Sequence, residues 1–293
     1  MKTITLSAKD YDDSTQNYGD CTIIDNGREL LIYDCGCQEH AERVKHYMKD
    51  HDYRQAIFVL SHNDSDHFDG LPYLLHWGLI SKIYTTLLLK HVDELYDRIG
   101  DKRKTRESIK AQILKLYNNI AQLSGEPIYD IYENSLDEFI AGVSFVGPSL
   151  DDMLDAVAKR LDTREGDTID GETIQNATSI QLTVSSLANG KLLLTGDSSY
   201  EAISDNLPGH AYIQLPHHGK NKTAQKIFER SDINATKTTF IVSDNTGLTN
   251  GGSDDLDSTG FHVLNTQDGD IKLSSTSGCY PLYGAGLTGC WGE

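Results

Sequence analysis

The sequence predicts an α/β (α+β) sandwich, two mixed β-sheets packed face to face with helices outside. Three observations predict it. Short apolar or alternating runs bounded by Gly, Asn and Asp recur along the chain. Segments with apolar residues at helical spacing and charged outer faces lie between them. Two of the turns, DNGRE at 25–29 and LANGK at 187–191, carry Asn-Gly, a strong short-range hairpin signal, so the sheets are at least partly antiparallel.

Taken in chain order, CTIID and ELLIYD read as the first hairpin, and 38–50 as a helix. AIFVLS follows as a strand, 70–77 as a short helix, and KIYTTLL as a further strand. Helical spacing then runs from Lys90 to Leu123. From Lys90 to Lys115 this segment holds eight cations against five acids, the one basic stretch of the chain, and a solvated helical face is its simplest explanation. VSFVGP is strand-like, and 149–171 is an acidic, helix-like insert without evident chemistry. SIQLTVSS, KLLLTGD, YIQLP and TTFIVSD follow as strands, with 223–230 helical, and HVLNT and IKLSS close the series. One domain over 1–293 is expected, with a helical insert at about 90–125 and a Gly-rich tail at 269–293.

Composition narrows the function classes. With 38% hydrophobic and 24% charged residues, the chain has an ordinary globular make-up. No apolar run approaches the roughly 18 residues of a membrane span, and MKTITLSAKDYDDS lacks a signal-peptide core, so a cytoplasmic protein without membrane association is expected. Cys21, Cys35, Cys37, Cys279 and Cys290 contain no CxxC pair and read as free thiols. A net charge of −18 opposes nonspecific polyanion binding, although cations held by clustered carboxylates would cancel part of it locally.

The chemistry concentrates in VLSHNDSDHFDGL at 59–71. A buried strand ends there in His62, Asp64, Asp66, His67 and Asp69. Imidazole and carboxylate suit a hard or borderline divalent cation, and their alternate spacing lets one tight loop address two neighbouring centres. A capped turn would account for Asn63 or Asp69, but not for two histidines flanking the acids. Two further strand ends deliver the same ligand types: LLLTGD places Asp197 after an apolar run and a Gly, and YIQLPHHG places His217 and His218. Singly, Asp197 could cap a helix and one histidine could be buried and neutral. Three such strand ends in one chain point to a metal centre.

In order and separation, SHNDSDHFDG, LLLTGD and LPHHGKNKT resemble the motifs of the metallo-β-lactamase superfamily, and specifically the soluble hydrolase domain of ComEC-type competence proteins. YGDCTIIDNGRELLIYDCG is similar to that family's opening hairpin and NATSIQLTVSSLANGKLLLTGD to its central one; TTFIVSDN and LNTQDGDIKL are similar to its closing strands. The resemblance implies an αββα sandwich with two divalent metal ions, Zn or Mn, at one edge between the sheets. It implies His62 and Asp64 on one metal, Asp66 and His67 on the other, Asp197 bridging, and His217 or His218 completing a shell. Asp64 stands where many members have a second histidine, which hardens the site towards oxygen ligation and makes manganese as credible as zinc. A further histidine of many members has no clear counterpart here, and Asn176 is nearest in the pattern. The sequence also departs from the branch's Gly-His-Pro, reading SDNTGLTNGGSDDLDSTGFHVLNT, and His262 is taken as a structural strand residue.

Two such cations lower the pKa of a bridging water to roughly 7 and clamp an in-line displacement at phosphorus, so hydrolysis is the expected reaction. Asp66 and Asp197 are the expected catalytic residues, Asp66 orienting the hydroxide and receiving its proton. Lys220, Lys222, Asn176, Ser243 and Asn245 are candidate substrate-binding residues. The first expectation is a phosphodiesterase or nuclease with a nucleic-acid or nucleotide substrate. The alternatives are a small-molecule hydrolase acting on a cyclic nucleotide, lactone, lactam or thioester, and a metal-binding partner protein without catalysis. The sequence leaves the oligomeric state open.

Overall fold

The structure, a computed structural model, describes residues 1–275 apart from 124, 134–137, 163–167, 170–171, 231 and 248–251. Its first sheet contains β1 (Lys2–Thr5), β2 (Thr22–Asp25), β3 (Leu30–Tyr33), β4 (Ala56–Val59), β5 (Ile80–Thr85) and β6 (Ile128–Asp130). The second contains β7 (Val143–Gly147), then, beyond a small hairpin of β8 (Thr168–Ile169) and β9 (Glu172–Thr173), β10 (Gln181–Leu187), β11 (Gly190–Leu194), β12 (His210–Gln214), β13 (Thr239–Val242) and β14 (His262–Asn265). β15 (Ile271–Ser274) returns to the first sheet beside β1.

Strand order is β15-β1-β2-β3-β4-β5-β6 in one sheet and β14-β13-β12-β11-β10-β7 in the other. Each sheet is antiparallel on one side and parallel on the other: β3 to β6 run parallel, as do β11 to β14. Both Asn-Gly turns close hairpins, β2–β3 and β10–β11.

The apolar runs are continuous because many strands are covered on both faces. Ile23, Leu30, Ile32, Phe58 and Leu60 point outward onto Ala41, Val44 and Met48 of the helix Gln38–Asp50 and Leu71 and Leu74 of the helix Leu71–His76. Their neighbours Ile24, Leu31, Tyr33 and Val59 point inward and meet Leu182, Val184, Leu192 and Leu194 of the other sheet. Leu193, Ile213, Phe240 and Val242 cover the far side against Ile203, Ala224, Ile227 and Phe228. Four layers, helix, sheet, sheet and helix, follow from this two-sided burial, and the expected sandwich is the fold observed.

The expected 90–123 helix is several pieces. Val92–Arg98 stops before Gly100, whose amide, with that of Asp101, binds the Asp162 carboxylate. Arg106–Leu116 restarts on a Thr105 capping box with Ser108 and ends at Tyr117. The acidic stretch folds into the helix Leu150–Asp162, and the three helices share a satellite core of Val92, Leu95, Ile109, Ile113, Met153 and Val157. The helix expected at 223–230 begins earlier, spanning Asn221–Phe228. Of the Gly-rich tail, residues 276–293, with Cys279 and Cys290, lie outside the described residues. Cys21, Cys35 and Cys37 are free and buried. Among the described residues no helix is long and apolar enough to cross a membrane.

Candidate metal centre

The parallel halves of both sheets end at one edge, and the chemistry-bearing loops leave from their carboxyl ends, the usual place for sites in such sheets. Asp34 follows β3, the 61–67 loop follows β4, Asp197 follows β11, and His217 and His218 follow β12. The two sheets are tied there: Tyr33 Oη donates to the Ile180 carbonyl at 2.6 Å, and the Ile180 amide donates to the Ser61 carbonyl at 2.9 Å. Gly196 adopts a φ of +52°, and a Cβ there would come within 3.0 Å of the Ser61 and Ser179 Cβ atoms, so glycine lets Asp197 turn into the edge.

Asp197 is the hub. Its Oδ1 lies 3.4 Å from His67 Nε2, and its Oδ2 lies 3.9 Å from His62 Nε2 and 4.0 Å from His218 Nε2. Asp66 Oδ2 is 3.2 Å from His218 Nε2, and Asp64 Oδ2 is 3.7 Å from His62 Nε2. Candidate metal-holding groups within 4.8 Å of one another are His62–His67–Asp197, Asp66–His67–His218 and Asp20–Asp197–His218. The sequence-predicted residues His62, Asp66, His67, Asp197 and His218 thus converge, with Asp64 at the rim beside His62.

Each of the three histidines turns Nε2 inward and has Nδ1 held from behind. His62 Nδ1 lies 2.9 Å from Ser61 Oγ and 3.2 Å from Ser179 Oγ. His67 Nδ1 lies 2.8 Å from Asp34 Oδ2. His218 Nδ1 lies 3.0 Å from the Ser243 carbonyl and 3.2 Å from Asp20 Oδ1. Such backing fixes the ring and presents the other nitrogen as a ligand. His62 Nε2, His67 Nε2 and Asp197 Oδ1 are buried and make no hydrogen bond, a cost a cation would remove, so the donor set fits a divalent metal.

Electrostatics agree. Burial disfavours charge on His67 and His218, but Asp197 outweighs it, with Asp34 on the first and Asp20 and Asp66 on the second, and holds both well above the usual imidazole range. Burial disfavours charge on Asp197 and Asp66 too, yet the histidines hold both well below the usual carboxylate range. The edge demands positive charge.

The bland accounts of the single motifs do not describe this geometry. Asp64 occupies the N-cap of the turn Ser65–Phe68, but its side chain makes no capping bond. The helix after Asp197 is capped by Ser199.

His217 diverges from His218. Both have left-handed φ values, 52° and 57°, a strained pairing for non-glycine residues that aims the two rings apart, 82° between planes. His217 Nδ1 meets Glu172 Oε2 at 2.5 Å, and Lys220 Nζ donates to Glu172 Oε1 at 2.7 Å. Burial raises Glu172, but His217 and Lys220 draw it below the usual range. Lys220 is therefore engaged by a buried carboxylate, while Lys222 is exposed.

Asn176 Nδ2 donates to Asp197 Oδ2 at 3.3 Å. Ser243 is buried, with its hydroxyl unpartnered and its carbonyl facing His218. Asn245 donates to the Leu6 and Gly19 carbonyls and accepts from the Ala8 amide, a clamp on the opening loop that leaves its amide no lone donor for a substrate. His262 sits on β14 against Thr239 Oγ1.

Sequence reasoning missed Asp20, Asp34, Asn17 and Glu172. IYDCG offered the same signal as LLLTGD, an aspartate straight after an apolar run; Asn17, whose Nδ2 donates to Asp66 Oδ2 at 2.9 Å, offered none.

Over residues 14–235 the sequence matches the model of the metallo-beta-lactamase superfamily. No curated protein matches it. Among solved structures, the metallo-beta-lactamase fold protein YhfI from Bacillus subtilis is similar, with 14% identity over 92% of this chain and 99% of that one and a TM-score of 0.51. A diphosphatase from the PhnP family aligns with 12% identity over 94% and 98%, with a TM-score of 0.47.

Proposed function

The chain belongs to the metallo-beta-lactamase superfamily, and from that membership we propose that it is a metal-dependent hydrolase of phosphodiester bonds, a nuclease or phosphodiesterase. The observation that carries this reading is the convergence of three inward Nε2 atoms on Asp197, with Asp66 and Asp64 flanking.

His62, Asp64 and Asp197 would hold one cation, and Asp66, His67, His218 and Asp197 the other. Cations bound there supply Lewis acidity, lower the pKa of water towards 7 and neutralise charge developing at phosphorus. The residues themselves do the positioning. Asp34, Asp20 and Ser243 fix the rings, Asn176 steadies Asp197, and Asn17 holds Asp66 Oδ2 from the solvent side. Asp66, accessible at the rim, is placed to take the proton of an attacking water. The mixed nitrogen and carboxylate donors suit zinc or manganese. A net charge of −18 favours a small substrate over a polyanion, and hydrolysis of a cyclic nucleotide, lactone or thioester is the second reading.

The test is turnover of bis-p-nitrophenyl phosphate, with zinc or manganese added, by the wild type and by Asp66→Ala and Asp197→Ala. Loss of turnover in both variants, with the fold retained by circular dichroism, supports the reading; undiminished turnover in both overturns it.

A further inference from the structure

The one basic stretch of this acidic chain forms a wall of an open groove of about 660 Å³. Arg103, Lys104, Lys115 and Arg160 line it, together with Asp101 and Asp162. Both carboxylates are engaged. Asp101 takes the Arg103 guanidinium through Nε and Nη2 at 2.8 and 2.7 Å, and Asp162 accepts the Gly100 and Asp101 amides. Lys104 Nζ donates to neutral partners, Gln112 Oε1 and the Leu161 carbonyl. Lys115 is exposed. Among the described residues lining the groove, four cations stand against two acids.

Its inner end is bolted to the ligand loop. Leu116 lines the groove, and its carbonyl accepts from Asn63 Nδ2 at 3.0 Å; Asn119 Nδ2 returns a bond to the Asn63 carbonyl at 2.8 Å. Asn63 is the residue between His62 and Asp64.

We propose that this groove binds the backbone phosphates of a single-stranded nucleic acid whose scissile phosphodiester lies at the metal centre. The proposal rests on the phosphodiester reading of that centre. A substrate ending at the scissile phosphate would gain nothing from cations beyond Asn63, so the groove serves a chain that continues past it. The helix Arg106–Leu116, 11 residues, is about 16 Å long, enough for a few nucleotides. Elsewhere the acidic surface repels a polyanion, which confines the strand to this track.

The test uses the double variant Arg103→Glu, Lys115→Glu, two exposed positions outside the metal-holding set. The first measurement is fluorescence anisotropy of a labelled single strand of about twelve nucleotides in EDTA, where no cleavage occurs. Salt-dependent binding by the wild type, weakened at least tenfold in the variant with a log–log salt slope smaller by about 0.7 per lost phosphate contact, supports the groove. No binding by the wild type, or equal binding by both, overturns it; inorganic triphosphate displacing the strand at equal phosphate concentration overturns the assignment to a strand. The second measurement is turnover of bis-p-nitrophenyl phosphate, which is expected to stay within twofold in the variant. A matching loss on that small substrate assigns the two residues to the metal centre and overturns the groove. Absence of turnover in the wild type defeats the phosphodiester reading alone, since anisotropy judges the groove without cleavage.

Discussion

His67 Nδ1 lies 2.8 Å from Asp34 Oδ2, and both side chains are fully buried. Asp34 also accepts the Ser61 amide on Oδ1 at 2.7 Å, so one carboxylate sets the imidazole and the start of the ligand loop together. Asparagine keeps the left-handed φ of 59° and the bond from Ser61 but loses the charge behind His67. Asp34→Asn should weaken metal binding about tenfold to a hundredfold, read by competition with a chromophoric chelator. Unchanged affinity would mean that the backing carboxylate does not tune the site.

The adjacent histidines should separate cleanly. His218→Ala removes the nitrogen that faces Asp66 and Asp197 and should lower the bound metal per chain, while His217→Ala should leave metal content unchanged, because His217 faces Glu172. Metal analysis of dialysed protein distinguishes the two. Equal losses would contradict the divergent ring directions.

Asn245 clamps Leu6, Ala8 and Gly19 through three hydrogen bonds with a buried side chain. Asn245→Ala should cost about 2–4 kcal/mol of stability by denaturant unfolding, since several buried polar groups lose partners. KM for bis-p-nitrophenyl phosphate should stay near the wild-type value. A raised KM with unchanged stability would restore Asn245 to the substrate.

Strands and ligand loops were legible because apolar runs such as LLLTGD must bury both faces and then change character where they leave the sheet. Asp20 and Asp34 went unread because the same pattern also describes an ordinary hairpin, and only the approach of β2, β3 and β12 shows the carboxylates behind His218 and His67. The choice between His217 and His218 depends on two left-handed φ values that no side-chain pattern encodes. Glu172 falls just past the acidic insert and carries no signal in the sequence; only the small hairpin brings it to His217 and Lys220. The helical insert read as one segment because its apolar spacing runs on, whereas Gly100 and the backbone bonds to Asp162 break it.

His40 is fully buried with neither ring nitrogen hydrogen-bonded, and burial, followed by Arg43, pushes its pKa down to about 3. Between that value and the ordinary 6.5 the unfolded chain takes up a proton that the folded chain refuses. Stability therefore falls as pH drops through this window, by at most about 1.4 kcal/mol per pH unit. His40→Leu, close in volume, should remove this contribution. Relative to the wild type, the variant should gain about 2 kcal/mol between pH 7 and pH 5 in denaturant unfolding. A difference that does not change with pH would show that His40 takes up its proton equally in the folded and the unfolded chain.

The most direct test of the two-cation centre is the metal content of the purified, reconstituted protein. Wild-type chain loaded with zinc or manganese and dialysed should retain two equivalents by plasma mass spectrometry, and Asp197→Ala, which removes the oxygen pair shared by all three histidines, should retain one or fewer. Retention of essentially no metal by the wild type, or the same two equivalents in the variant, would contradict the account.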